Sequence, residues 1–167
     1  MKTFDDYGLK MCRFQAELFA KSENRTSCSS PVFLRRFMYS EVARRMDGKG
    51  FLYEATGIDD VFDEIELQFG NTDYGQKKYD PEILYWIGYI YRYWSYTHEI
   101  SSKKLYKRIK PEELKALYYP YHSLDPGMAI DRIIEAKQLT EEDYIEKGVS
   151  ILRKLREEDN RYSTKEK

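Results

Sequence analysis

The chain has 167 residues, 41% of them hydrophobic and 34% charged, with a net charge of −1. That balance suits a single folded domain that can bury a core without disulfides or metal, and it excludes a disordered or membrane-embedded chain. No apolar run approaches the ~20 residues that span a bilayer. The opening, MKTFDDYGLKMCRF, carries acids where a secretory leader is apolar, so cytoplasmic residence is the expectation.

In chain order, Tyr7, Met11, Phe14 and Leu18 recur at i, i+4, i+7 and i+11. They predict an amphipathic helix over residues 5–21. The polar loop SENRTSCSS follows, so residues 1–28 read as an N-terminal appendage to the domain. Ser30-Pro31 is a helix start, because the hydroxyl caps a free amide and proline at the first position lacks one. The pattern then runs through Phe33, Phe37, Met38, Val42 and Met46 to a stop at Gly48. Ser40 sits mid-pattern and leaves open whether 31–47 is one helix or two. GKGFLYEATG reads as a short extended piece. Thr56 or Gly57 opens an acidic helix that Gly70 ends, with NTDYGQKKYD as a polar connection.

Asp80-Pro81 is the strongest helix start and launches the aromatic helix, residues 81–98. SSKKLYKRIK reads as a short basic helix. PEELKALYY is another, ending before Pro120. Asp125-Pro126 opens a helix with Met128, Ile130, Ile133 and Ile134. Thr140 caps a last one, with Tyr144, Ile145, Val149, Leu152 and Leu155 on its inner side. Residues 160–167 read as a flexible tail. The expectation is an all-α single compact multi-helix domain, of six to nine helices, built around the aromatic helix.

Few catalytic patterns are available. His98, His122, Cys12 and Cys28 are too far apart in sequence for usual zinc spacing, and no metal or other cofactor is expected. The two cysteines read as reduced rather than bridged. There is no GxSxG elbow and no glycine-rich phosphate loop. The acids Asp59, Asp60, Asp63 and Glu66 suit the positive end of a helix dipole. No residue stands out for bond-making chemistry, so the expectation is a protein that is not an enzyme.

Two surfaces carry binding potential. Lys103, Lys104, Lys107 and Arg108, within the basic segment 101–110, follow the aromatic helix closely enough to suggest a helix-turn-helix. Arg35, Arg36, Arg44 and Arg45 form a second basic group. On the aromatic helix, Tyr85, Tyr89, Arg92 and Tyr96 fall on one side at i, i+4, i+7 and i+11. Tyrosine, tryptophan and arginine dominate binding hot spots, and an interfacial tyrosine can leave its hydroxyl wet. Trp86, Ile87, Ile90 and Trp94 are expected in the core, and Tyr85, Tyr89, Arg92 and Tyr96 near the surface.

Three segments, SSPVFLRRFMYSEVARRMDG, YWIGYIYRYWSYTHEISSKKLYKRIKPEEL and YYPYHSLDPGMAIDRIIEA, resemble a family of small bacterial proteins of uncharacterised fold. Its members are often encoded beside a predicted ADP-ribosyltransferase toxin of the polymorphic-toxin type. The resemblance covers residues 29–136, through strings such as WIGYxYRYW and LYxPYHxLDP. It implies an antitoxin or immunity protein that silences a cognate toxin. In that reading Tyr85, Tyr89, Arg92 and Tyr96 are anchors, and Asp59, Asp60, Asp63 and Glu66 face a cationic partner. The alternative is a DNA-binding regulator using Lys103, Lys104, Lys107 and Arg108.

Overall fold

The computed structural model describes the backbone of residues 1–163 and the side chains of 1–138, 149, 150, 152–154 and 156. Helices are α1 (Asp6–Arg25), α2 (Ser30–Met38), α3 (Glu41–Asp47), α4 (Ile58–Phe69), α5 (Pro81–His98), α6 (Ser102–Arg108), α7 (Pro111–Tyr121) and α8 (Pro126–Ser163). A 3₁₀ turn at Phe51–Tyr53 follows α3, and there is no strand among the described residues. The class is all-α. Met1–Gly127 forms one compact unit, and a second begins at Met128, in the first turn of α8.

Within the first unit, α5 is the axis. Ile83, Leu84, Ile87, Ile90, Tyr91 and Trp94 are buried along it. Its main partner is α1, so that helix belongs to the core and is not an appendage. The buried face of α1 is Gly8, Met11, Cys12, Gln15, Ala16, Leu18, Phe19 and Ser22. Several of these are small or polar, so the stripe Tyr7, Met11, Phe14 and Leu18 caught only Met11 and Leu18 of the seam. Close approach explains the small residues. A Cβ on Gly88 would lie 2.8 Å from the Gln15 carbonyl oxygen and 2.9 Å from Ala16 Cα. One on Gly8 would lie 2.7 Å from the Tyr96 ring.

Local chemistry sets most helix ends. Asp5 caps α1 by accepting from the Gly8 amide at 2.8 Å. At the far end the Thr26 hydroxyl donates to the Ser22 carbonyl, and α1 runs on to Arg25. Ser29, one residue before the expected cap, caps α2, while Ser30 Oγ accepts from the Tyr79 amide at 2.9 Å. Ser40 divides two helices, accepting from the Ala43 amide at 3.1 Å. At Gly57, Asp60 accepts the backbone amide at 2.7 Å and closes the start of α4.

Three expectations about elements are corrected. GKGFLYEATG is not extended: Gly50, at φ 108°, turns the chain so that Phe51 is buried edge-on to Phe14, 5.4 Å away. Helix α7 does not stop before Pro120. Proline sits in its last turn, where only one hydrogen bond is lost, and the His122 amide closes on the Tyr118 carbonyl at 2.8 Å. Thr140 does not open a separate helix, because α8 is continuous through it. Val149 and Leu152, expected on its inner side, are exposed. The side chains of Tyr144, Ile145 and Leu155, and residues 164–167 of the expected tail, lie outside the described residues.

Candidate functional site

The first turns of α5 and the end of α7 enclose an open groove of about 510 Å³, lined by Tyr85, Trp86, Tyr89, Tyr118 and His122, with Ala20 of α1 and Pro81 and Glu82 at its edges. The α5 spacing brings Tyr85 and Tyr89 to the same side, one turn apart. Trp86 meets Tyr118 edge-on at 5.8 Å, and Tyr118 stacks on His122 at 4.6 Å. His122 Nδ1 lies 3.0 Å from the Tyr118 carbonyl oxygen, which fixes the ring. Tyr85 is 39% exposed, and Trp86 and Tyr89 are half-buried. Burial pushes the Tyr89 phenol up to about 12, so it stays neutral and donates hydrogen bonds across the physiological range. The groove therefore offers flat apolar faces with hydroxyl edges, a surface suited to recognition.

Two expected placements on α5 are corrected. Trp86 lines the groove and is not core. Arg92 is not at the surface: it is 1% exposed, and its guanidinium joins three other helices. Nε donates to Gln15 Oε1 at 2.8 Å, Nη1 to Asp47 Oδ1 at 2.9 Å and Nη2 to Ser102 Oγ at 3.1 Å. Asp47 also accepts from the Ser102 amide at 2.8 Å and the Ser102 hydroxyl at 2.6 Å. Sequence spacing cannot see this cluster, because its members come from α1, α3, α5 and α6. Ile87, Ile90 and Trp94 are buried as expected.

Tyr96 belongs to a different cleft, about 430 Å³, with Tyr7, Tyr53 and Asp47 among its walls. Its hydroxyl donates to Asp5 at 2.7 Å, and Lys2 Nζ sits 3.7 Å from its ring centroid. The stripe Tyr85–Tyr89–Arg92–Tyr96 is thus split between the groove, which holds the first two, and the cleft, which Tyr96 lines together with the Arg92–Asp47 ion pair.

The acids Asp59, Asp60, Asp63 and Glu66 are exposed on α4, which packs on α1, α2 and α3. Arg25 lies 3.4 Å from Asp59 and 3.8 Å from Asp63, and Asp60 holds the helix start. Most of the second basic group is engaged. Arg45 pairs with Glu54 and Glu64, Arg44 with Glu41, and Arg36 donates to the Gly70 carbonyl. Lys103, Lys104, Lys107 and Arg108 are exposed on one face of α6, whose other face buries Ser102, Leu105 and Tyr106.

The chain matches no protein-family model, no curated protein and no solved structure. No described helix is long and apolar enough to cross a membrane. Among the described residues, no three His, Cys, Asp or Glu side chains come together as a metal site.

Tyr118 and His122 were not picked out from the sequence as site residues. Their only signal was the aromatic string LYYPYH at the end of a helix. Both cysteines are buried and free, and burial pushes the Cys12 thiol up to about 12. Since the thiolate is the reactive form, the native protein is expected to resist iodoacetamide at neutral pH and to take up two labels once unfolded. Mass spectrometry reads the count, and rapid labelling of Cys12 in the native state would contradict the packing of α1 on α5.

Proposed function

We propose that this chain is a non-enzymatic protein-binding module that silences a cognate toxin, with an ADP-ribosyltransferase-like enzyme as the partner. The observation that supports this reading best is the groove at Tyr85, Trp86, Tyr89 and Tyr118: a cluster of partly exposed aromatic rings held by rigid helices. Such rings are the residue types that anchor protein interfaces, and helical placement lowers the ordering cost of binding. The acidic face of α4 is a second contact surface, complementary to a cationic partner. The role of toxin-neutralising protein rests on the resemblance of residues 29–136.

Co-expression with the neighbouring toxin gene tests the proposal. Rescue of growth and co-purification of the two chains are expected, and the absence of both sinks it. Tyr85→Ala and Trp86→Ala should each weaken the complex by roughly 30-fold or more, corresponding to a hot-spot loss of about 2 kcal/mol. Calorimetric titration measures this, and unchanged affinity in both variants moves the interface away from the groove.

A second reading, a DNA-binding regulator, is favoured by the exposure of Lys103, Lys104, Lys107 and Arg108 on a single helix face. A mobility shift on the DNA upstream of the gene, repeated at two salt concentrations, tests it. Absence of salt-sensitive binding removes it.

A further inference from the structure

We infer that the α6 face is a sequence-independent site for the phosphodiester backbone of a nucleic acid. The inference rests on the second reading above and changes what is recognised, from an operator sequence to a chain of phosphates.

The cations form one patch drawn from separate segments. Arg35 on α2 lies 6.0 Å from the Tyr39 ring, and Lys103 on α6 lies 5.3 Å from the same ring. Tyr39 meets Tyr106 edge-on at 5.5 Å, and Lys110 sits 4.1 Å from the Tyr106 ring. Cation–π contact holds these groups in place without removing their charge. Lys104, Lys107 and Arg108 complete the exposed face of α6, and none of them forms an ion pair with a described residue. Two acids, Glu112 and Glu113, stand exposed at the start of α7 beside the patch; Glu113 is engaged in accepting from the Lys110 amide at 2.7 Å, and six cations outnumber the pair.

The same geometry argues against the neighbouring possibilities. A protein partner needs an apolar or aromatic centre, and lysine is depleted from protein interfaces. Here Leu105, Tyr106 and Ile109 are all buried, and the outward residues of α6 are cations. Stacking on single-stranded bases needs a free ring, yet Tyr106 is only 9% exposed, and the half-buried Tyr39 ring is already met by Tyr106, Arg35 and Lys103. Readout of base edges is made mostly by Arg, Asn and Gln, whereas the exposed face of α6 has no Asn or Gln and a single arginine, Arg108, among lysines that act as point charges on flexible stems. Phosphates are what remain.

Fluorescence anisotropy tests this on the full chain, with two unrelated DNA duplexes of about 20 base pairs across a salt series. Equal binding to both is expected, with a slope of log K against log salt of about −3.6, roughly 0.9 for each of about four phosphates. Lys104→Glu with Lys107→Glu should lower the slope by about two. Lys10→Glu with Lys49→Glu changes the net charge equally at exposed sites elsewhere and should leave the slope unaltered. Circular dichroism confirms that both double variants fold. Equal weakening by the two double variants overturns the proposed site. So does competition by polyglutamate as effective as by duplex, which would assign the face to an acidic protein. A tenfold or greater preference for one duplex overturns sequence independence and leaves the regulator reading standing. No binding to any duplex at low salt defeats both.

Discussion

Arg92→Met is expected to destabilise the protein by about 3–5 kcal/mol, the loss found when one partner of a buried ion pair is removed. The guanidinium is 1% exposed and makes hydrogen bonds to α1, α3 and α6. Methionine fills part of the volume but leaves Gln15 and Asp47 each short of a donor. Asp47 has some relief, because the Ser102 amide and hydroxyl still reach it and its side chain is 16% exposed. The Ser95 hydroxyl gives little: its single proton goes to the Ile100 carbonyl at 2.6 Å rather than to Asp47 at 3.3 Å. The reverse change, Asp47→Ala, should therefore cost more than Arg92→Met. It strands a guanidinium that cannot shed its proton and has almost no access to water. The double variant should be more stable than additivity predicts. Thermal melts read all three, with Arg92→Met falling by roughly 10 °C at about 2–4 °C per kcal/mol for a chain of this size. A loss below about 1 kcal/mol for Arg92→Met would put it among solvent-exposed pairs and contradict its burial.

This cluster also shows where sequence reasoning about the site stopped. Tyr85 and Tyr89 were legible as a pair because their spacing is local. Continuing the same stripe to Arg92 failed, since α1 covers α5 midway and Gln15, 77 residues away, supplies an acceptor there. The arginine on an aromatic helix looked like an anchor and is instead an internal tie. Trp86 erred in the other direction. A tryptophan beside a hydrophobic stripe reads as core, but its neighbour Tyr118 meets it edge-on where the groove opens, and no periodicity on α5 encodes that.

The fold was more legible than the site. Helix starts at Asp80-Pro81, Ser101, Pro111 and Pro126 rest on cap and proline chemistry within a few residues, and each lies within one residue of a helix boundary. The identity of the central helix followed from its having almost no polar side. What stayed hidden was most of the α1 seam, of which only Met11 and Leu18 stood in the sequence pattern. Its contact residues include Gly8, Cys12, Gln15, Ala16 and Ser22, which are apolar only in context. A pattern search rewards large apolar side chains, whereas a close helix crossing is made by small ones.

The strongest test of that seam is Gly88→Val, expected to destabilise by more than about 3 kcal/mol, beyond the 1–3 kcal/mol typical of overpacking. Two opposing effects meet at this position. Glycine inside a helix is unfavourable, so alanine would gain roughly 1 kcal/mol from propensity alone. Against that gain, even one added carbon would sit 2.8 Å from the Gln15 carbonyl oxygen and 2.9 Å from Ala16 Cα. Both are backbone atoms, so no rotamer change clears them and α1 itself must shift. Gly88→Ala should then be destabilising by about 1 kcal/mol or more despite its better propensity, and valine, with two further methyls and a weaker helix preference, by much more. Movement of α1 also draws Gln15 from Arg92, so Gly88→Val and Arg92→Met should lose less together than the sum of their separate losses. Ala16→Gly is the discriminating partner. If the clash is with backbone, it rescues nothing, whereas recovery of Gly88→Ala by Ala16→Gly in denaturant melts would mean that side chains, not main chains, meet at the crossing.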